Sequence, residues 1–220
     1  MKALIKIAAS LLLTAGSFAA NAQDMEAYLS KSCKQLDTAK TLEQVNKASS
    51  SFDISAMKWS KEYIANYYAA YSKTILSFMY PEADMKTKDL VLDQADKYFE
   101  KAKALAPESD ETYVLAALLA QARMSVDGQN RWMKYGKIFE ENLEKAKAIN
   151  PENPRIYYLK GTSTFYTPKM FGGGKKNAKP YFEKAKELYA KQDTTSVLKP
   201  IWGSVQTDYF IGECSNEDKD

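Results

Sequence analysis

Apolar residues recur along this chain every three or four positions, which is the spacing of amphipathic helices. The clearest stripe runs from Ser55 through Tyr63, Tyr67 and Tyr71. It predicts one long helix that ends before Pro81, because proline cannot continue a helix. The period-two alternation of a half-buried strand does not occur. The pattern therefore predicts an all-α chain of paired antiparallel helices.

Proline, glycine and helix-capping residues divide the rest of the pattern into shorter helices. Pro107 followed by Ser109 marks the end of one helix and the start of the next, and Pro151 followed by Asn153 repeats this signal. The helices predicted in this way cover residues 86–105, 111–126, 131–149, 155–166 and 176–191, with a last helix from residue 201. Residues 24–47 are predicted to form one or two helices, and residues 49–53 a turn.

One short phrase occurs three times within the predicted helices. It reads Tyr-Phe-Glu-Lys-Ala-Lys from Tyr98 and again from Tyr181, and Asn-Leu-Glu-Lys-Ala-Lys from Asn142. A unit that recurs in this way usually cannot bury its apolar face alone, so neighbouring copies are expected to stack. The repeat predicts an α-solenoid in which the Phe and Ala of each phrase are structural and the Glu and Lys are solvated.

The residues around this phrase resemble the tetratricopeptide repeat family. The second helix of that family has a small residue, an aromatic residue four positions on, alanine after three more and proline after five more. The matching positions are Ala95, Phe99, Ala102 and Pro107 in one copy and Ala178, Phe182 and Ala185 in another. The repeated alanines at 102, 146 and 185 lie 44 and 39 residues apart, against a family period of 34. The residues beyond this period are expected between the two helices of a hairpin, around residues 127–134 and 168–174.

The resemblance implies an α-solenoid of about three antiparallel helical hairpins over residues 55–191. An N-terminal helical segment at residues 23–54 and a C-terminal capping helix at residues 192–214 are expected to flank it. A polar tail follows at residues 215–220.

The first 22 residues have the pattern of a cleavable signal peptide. Lys2 and Lys6 precede a short apolar stretch at residues 7–13, and Ala20-Asn21-Ala22 offers a cleavage site before Gln23. No later segment is long and uncharged enough to span a membrane, which requires about 20 apolar residues. We expect an exported protein, periplasmic or secreted, without a transmembrane segment.

Charge and residue types exclude several classes of function. The whole chain carries a net charge of +3, of which the leader contributes two lysines and no acid, so the mature surface is close to neutral and not suited to nucleic acid. Histidine is absent, which removes the commonest general base and the commonest zinc ligand. These features predict a protein that is not an enzyme and that has no cofactor and no metal site.

Two cysteines, Cys33 and Cys214, leave a disulfide open as an alternative in an exported protein. The ends of a solenoid normally diverge by more than the roughly 7 Å that a bridge allows, which favours unbridged thiols.

The glycines before Lys175 do not match a nucleotide-binding loop, because Lys176 stands where that loop requires Ser or Thr.

The resemblance implies that the first helix of each hairpin lines a concave groove. The exposed groove positions would be Glu111, Val114, Leu118, Gln121, Arg155, Tyr158, Thr162 and Phe165, and a rim loop would comprise Phe171, Gly172, Gly173 and Gly174. Such a groove suits a protein or peptide segment. The predicted function is a non-catalytic exported scaffold for protein binding in the cell envelope. The alternative, suggested by the glycine loop and the aromatic lining, is a small-ligand-binding accessory component of an envelope transport system.

Overall fold

The computed structural model describes residues 21–216, and every regular element within that range is helical. Helices α1 to α9 comprise, in order, residues 21–37, Leu42–Lys58, Tyr63–Met79, Met85–Leu105, Asp110–Val126, Gly128–Ile149, Pro154–Tyr166, Lys175–Tyr189 and Ser204–Ser215. A short 3-10 turn, Lys169–Phe171, precedes α8. The predicted leader lies outside the described residues except for its last two positions, as does the end of the polar tail.

The helices pack in consecutive antiparallel pairs. Helices α3 and α4, α5 and α6, and α7 and α8 form three hairpins, while α2 packs on α3 and α9 packs on α8. The first helices of the three hairpins, α3, α5 and α7, lie side by side. This arrangement confirms the predicted all-α solenoid of helical hairpins.

Local side chains cap the starts of α2, α4, α6 and α7. The Asp84 carboxylate accepts a hydrogen bond from Thr87 N at 3.2 Å at the start of α4, and Asp127 accepts one from Asn130 N at 3.2 Å at the start of α6. Such side chains satisfy amides that have no partner within the helix. Asn153 does the same for α7, whose first residue is proline. The predicted bounds of α4 to α8 therefore agree with the structure to within three residues.

The region before α3 differs from the sequence prediction. The turn predicted at residues 49–53 lies inside α2, where Phe52 is fully buried and the Ser49 and Ser72 hydroxyls form a buried hydrogen bond of 3.2 Å. The long helix predicted from Ser55 is instead divided between α2 and α3. The side-chain amide of Asn66 donates to the Ser60 and Glu62 carbonyls at 3.0 and 2.9 Å, which satisfies the backbone at this break.

The core follows the repeated phrase. The phrase alanines Ala102, Ala146 and Ala185 and the aromatic Phe182 are all buried, whereas the neighbouring Glu and Lys residues are exposed. Small side chains at these positions allow the paired helices to approach closely. Within the described residues, no helix has the length and apolar character that crossing a bilayer requires.

Candidate binding site

The predicted groove residues lie on adjoining faces of α5 and α7, and the structure brings several of them into contact. The Arg155 guanidinium donates to the Glu111 carboxylate at 2.9 Å, and the Gln121 amide donates to the Thr162 hydroxyl at 3.0 Å. The face is not an open groove, however. Val114, Leu118, Arg155 and Thr162 are buried, and Glu111, Gln121, Tyr158 and Phe165 are half-buried.

A segment of the chain itself lies on this face. We call residues 196–203, which link α8 to α9 without helical structure, the strap. Tyr68 on α3 donates its hydroxyl proton to the Lys199 carbonyl at 3.2 Å, and the Arg155 guanidinium donates to the Pro200 carbonyl. The strap therefore occupies the place where the sequence predicted an exposed binding groove.

The strap residue Trp202 inserts between helices α3 and α7. Its ring stacks on Tyr71 with centroids 4.8 Å apart and an interplanar angle of 21°, and it meets Tyr158 edge-on at 6.1 Å. The indole N–H donates to the Tyr67 hydroxyl at 2.9 Å. Trp202 was not among the predicted site residues. The signal that the sequence offered was a tryptophan two residues after Pro200, outside any helical stripe.

Arg155 and Glu111 form a buried ion pair beneath the strap. The Glu111 carboxylate also accepts hydrogen bonds from the Asn153 amide at 2.7 Å and from the Tyr67 hydroxyl at 3.1 Å. Burial raises the pKa of Glu111, and the charge of Arg155 opposes that shift. Arg155 further donates to Gln192 at 3.2 Å, while its Nε has no hydrogen-bond partner among the described residues. The pair holds α5, α7 and the strap together.

An exposed aromatic surface lies where the C-terminal part of α7 meets α9. We define it as Phe165, Tyr166, Tyr209 and Phe210. The Phe165 and Phe210 centroids are 5.1 Å apart, those of Tyr166 and Phe210 are 6.2 Å apart, and those of Tyr209 and Phe210 are 5.4 Å apart. The Phe210 ring lies parallel to buried Phe182 at 4.9 Å, which fixes its orientation. Tyr166 and Tyr209 remain 72% and 63% exposed.

The predicted rim loop lies between α7 and α8. Gly172 and Gly174 have φ values of +82° and +92°, which glycine adopts without the steric cost of a Cβ. Gly174 N donates to the Thr164 carbonyl at 2.9 Å, which ties the loop to α7. Phe171 is 72% exposed, and its neighbour Met170 is 83% exposed. The loop thus presents two large apolar side chains to solvent.

A basic side chain, that of Lys175, lies at the edge of the aromatic surface. The Lys175 ammonium lies 5.8 Å from the Phe165 ring centroid and 3.4 Å from the Glu213 carboxylate. Burial raises the pKa of the Tyr166 phenol, and Tyr209 and Glu213 add to this shift. The Tyr166 phenol is therefore uncharged at neutral pH, and a lysine lies at the edge of the surface.

A separate cleft of about 720 Å³ lies over α5, between α4 and α6. At one end Arg123 pairs with Asp89, Asp93 and Asp96 at 2.9, 2.5 and 2.6 Å. None of the predicted groove residues lines this cleft. Its charges are largely paired, so the cleft lacks a convergent set of unsatisfied polar groups of the kind that orients a small ligand.

Neither cysteine position resembles a reactive or metal-binding site. Cys33 and Cys214 are buried thiols in different parts of the solenoid, Cys33 in the main core and Cys214 against α8. Burial raises the pKa of Cys33 to about 12. Among the residues that the structure describes, no cluster of three potential metal-ligating side chains occurs.

Three comparisons relate the chain to known proteins. Regulator of microtubule dynamics protein 2 from Homo sapiens and from Macaca fascicularis is 29% identical over 100 residues, which is 46% of this chain and 24% of each relative. The Bos taurus protein is 34% identical over 71 residues, or 32% of this chain and 17% of the relative. The matched part thus spans about a quarter or less of these relatives.

A solved structure is similar over most of its length. The chain resembles the HusA haemophore from Porphyromonas gingivalis with a TM-score of 0.72 and 30% sequence identity, covering 89% of this chain and 93% of that one. The family model for regulator of microtubule dynamics protein 1-3 matches residues 32–192. Since that match includes well over half of the 220 residues, the chain belongs to the regulator of microtubule dynamics protein 1-3 family.

Proposed function

We propose that this protein is an exported, non-catalytic carrier that binds a planar aromatic ligand of the tetrapyrrole class, to which haem belongs. The observation that carries the proposal is the aromatic surface, in which Phe165 and Phe210 pack on buried Phe182 while Tyr166 and Tyr209 stay exposed. Exposed apolar patches of this kind mark ligand or partner sites. The similarity to a haemophore over 89% of the chain supports the same class of ligand.

The chemistry of the surface suits a flat ring with acidic substituents. Rings at 5–6 Å spacing offer faces and edges for stacking, which contributes about 0.5–1.5 kcal/mol for each aromatic pair beyond the area that it buries. Lys175 at the edge, which pairs with Glu213 and is 30% exposed, is also placed to pair with a carboxylate of the ligand. Because the sequence contains no histidine, recognition rests on the ring and its carboxylates and not on imidazole ligation of iron.

Export and repeat type form part of this proposal. The leader pattern of residues 1–22 supports secretion or release into the periplasm. The three hairpins, with their buried phrase alanines, are consistent with repeats of the tetratricopeptide type. The proposal follows the alternative that the sequence suggested, a small-ligand-binding protein. It differs in the site, which is the aromatic surface of α7 and α9 and not the concave groove.

Titration with haemin and with metal-free protoporphyrin IX tests the function. Binding is followed by the change in Soret absorbance and by quenching of protein fluorescence. Replacing two exposed rings by Tyr166→Ala and Tyr209→Ala removes about 2 kcal/mol of stacking, so we expect the dissociation constant of both ligands to rise about 30-fold. Trp132→Ala is the matched control, because Trp132 is an exposed aromatic residue on α6, 59% accessible.

Three results would count against this proposal. If neither haemin nor protoporphyrin IX binds to the wild-type protein, the proposed function is wrong. Unchanged affinity in the Tyr166→Ala/Tyr209→Ala variant, with an unchanged circular dichroism spectrum, would show that the ligand does not bind at the aromatic surface. An equal loss of affinity in Trp132→Ala would show non-specific adsorption of the ligand to exposed aromatic residues.

A further inference from the structure

Two segments of the chain combine large exposed apolar side chains with basic residues and contain no acidic residue. Residues 128–137 at the start of α6 include three basic residues, and residues 167–179, from the loop after α7 into α8, include four. Each segment also carries two large exposed apolar side chains, Trp132 and Met133 in the first and Met170 and Phe171 in the second. Two of the basic residues, Arg131 and Lys175, pair with acids on other helices. We call the two segments together the basic tip.

Hydrogen bonds hold both segments in place. Arg131 donates to the two carboxylate oxygens of Asp89 at 2.7 Å each, which fixes the start of α6 against α4. In the second segment, the side-chain amide of Asn177 donates to the Gly172 and Gly173 carbonyls at 3.1 Å each. The exposed apolar side chains therefore project from an ordered backbone.

The two segments lie at the same end of the solenoid and at a similar height. Lys160 on α7 pairs with Glu140 on α6 at 2.6 Å, which places these two positions at one level. At a rise of about 1.5 Å per residue, Trp132 lies about 12 Å beyond this level along α6. Tyr166, the last residue of α7, lies about 9 Å beyond it in the same direction, because α6 and α7 run antiparallel. The loop with the second pair of apolar side chains follows α7 directly, so both pairs reach about the same height.

From this arrangement we infer that the basic tip docks on the surface of a bilayer that contains anionic lipids. Basic residues close to such a surface are attracted by the negative headgroups. Tryptophan, phenylalanine and other apolar side chains enter the boundary between headgroups and acyl chains. A standard protein interface buries about 800 Å² on each partner in one packed face. Apolar side chains on two separate helix ends at one height suit a bilayer better, because lipids close around each of them. The contact does not depend on the planar ligand.

The chain carries its own probe for this contact. Of its three tryptophans, Trp59 and Trp202 are buried, and Trp132 is exposed on the basic tip. A tryptophan that moves from water into the headgroup region emits at shorter wavelength, and brominated acyl chains quench its fluorescence by contact. A change of emission on adding vesicles to the folded protein therefore reports on Trp132.

Vesicles of phosphatidylcholine with about 30% phosphatidylglycerol test the inference, with phosphatidylcholine alone for comparison. The chain is used from Gln23 onward, because the apolar stretch of the predicted leader would itself bind lipid. We expect co-sedimentation with the mixed vesicles, a blue shift of Trp132 emission and quenching by brominated lipid. Lys134→Gln/Lys176→Gln should lower the partition coefficient into mixed vesicles about 25-fold, because each basic residue near an anionic surface contributes about fivefold.

A second variant tests the apolar part of the contact. Met170→Ala/Phe171→Ala should lower the partition coefficient about 100-fold, because burial of one large apolar side chain contributes about tenfold or more. Met57→Ala/Ile149→Ala is the matched control, since these exposed side chains lie near the ends of α2 and α6 at the opposite end of the solenoid. Tyr209→Ala, which alters the aromatic surface, should bind vesicles like the wild type, so this inference and the proposed function fail separately.

Five outcomes would overturn the inference. The first is that the wild-type chain does not sediment with the mixed vesicles. The second is binding without a blue shift or quenching of Trp132, which would show that another surface meets the lipid. The third is an equal loss of binding in Met57→Ala/Ile149→Ala, and the fourth is an unchanged partition coefficient in Met170→Ala/Phe171→Ala. The fifth is dimerisation of the wild-type chain without vesicle binding, abolished by Met170→Ala/Phe171→Ala in sedimentation velocity, which would assign the basic tip to a second copy of this chain.

Discussion

Replacing Arg155 by methionine tests whether the buried ion pair joins the hairpins and the strap. The substitution keeps much of the apolar volume of the side chain but removes the guanidinium. It leaves the Glu111 carboxylate, whose side chain is only 14% exposed, without its cation. It also removes the hydrogen bonds to Gln192 and to the Pro200 carbonyl. The perturbation is therefore electrostatic and local.

The expected cost follows from the burial of the pair. Breaking a buried ion pair by removing one partner destabilises a protein by about 3–5 kcal/mol, because the remaining charge is left uncompensated. Arg155 is fully buried, which places it in this class. A domain of ordinary stability has about 5–15 kcal/mol in total. We expect Arg155→Met to reduce the free energy of unfolding by about 4 kcal/mol.

A double substitution separates the charge effect from lost packing. In Glu111→Leu/Arg155→Met both charges are absent, so no uncompensated ion is buried. We expect the double variant to cost less than the sum of the two single variants by about 2–3 kcal/mol. Lys160→Met is the matched control on the same helix, because the Lys160–Glu140 pair at 2.6 Å is partly exposed and should contribute about 0–1 kcal/mol.

Equilibrium urea unfolding, followed by circular dichroism and tryptophan fluorescence, measures these differences. A loss below about 1 kcal/mol for Arg155→Met, similar to that of Lys160→Met, would refute the view that the buried pair is a major support. Strict additivity of the Glu111 and Arg155 substitutions would refute the coupling.

Three further predictions concern backbone geometry, helix capping and thiol reactivity. Gly203 has a φ of +106°, and a Cβ there would lie 2.0 Å from the Tyr189 hydroxyl, so Gly203→Ala should cost about 2 kcal/mol and lower Tm by about 4–8 °C; an unchanged Tm in calorimetry would contradict this. Asp127→Ala removes the cap of α6 and should cost about 1 kcal/mol in urea unfolding, with Glu144→Ala, an exposed acid within the same helix, as a neutral control. Burial raises the pKa of Cys33 to about 12, so iodoacetamide at pH 8 should modify Cys33 slowly in the native protein and rapidly in urea. The stability that the buried neutral thiol contributes should be lost as the pH rises from about 9 towards 12. Rapid labelling of Cys33 in the native protein, located by peptide mass mapping, would disprove the burial.

Helix pairing was predictable because its signals are local. The stops at Pro107 and Pro151 and the cap at Asn153 act within a few residues, and the repeated phrase identifies which faces stack. The continuation of α2 through residues 49–53 was not predictable in the same way. Ser49 resembles a turn residue in the sequence, but in the structure its hydroxyl finds a buried partner on α3, so the helix continues through it.

The candidate sites were predictable only in part. The periodicity identified which residues of α5 and α7 share a face, and Glu111 with Arg155 are indeed in contact. Their exposure could not be read from the same pattern, because it depends on what covers that face. The strap is not helical although the sequence predicted a helix from residue 201, and its Trp202 meets Tyr67 from 135 residues away along the chain. Contacts of such separation leave no local trace.

The sequence alone determined that this protein is helical, that its helices pair, and that small and aromatic residues of one phrase form the joints between pairs. Spacing, caps and proline stops are enough for this because they act within a single turn or two of helix. The tertiary structure decided which surfaces remain open. It covered the concave face with the strap through Arg155, Tyr68 and Trp202, and it left the aromatic surface of α7 and α9 exposed, because only the packed chain brings these distant residues together.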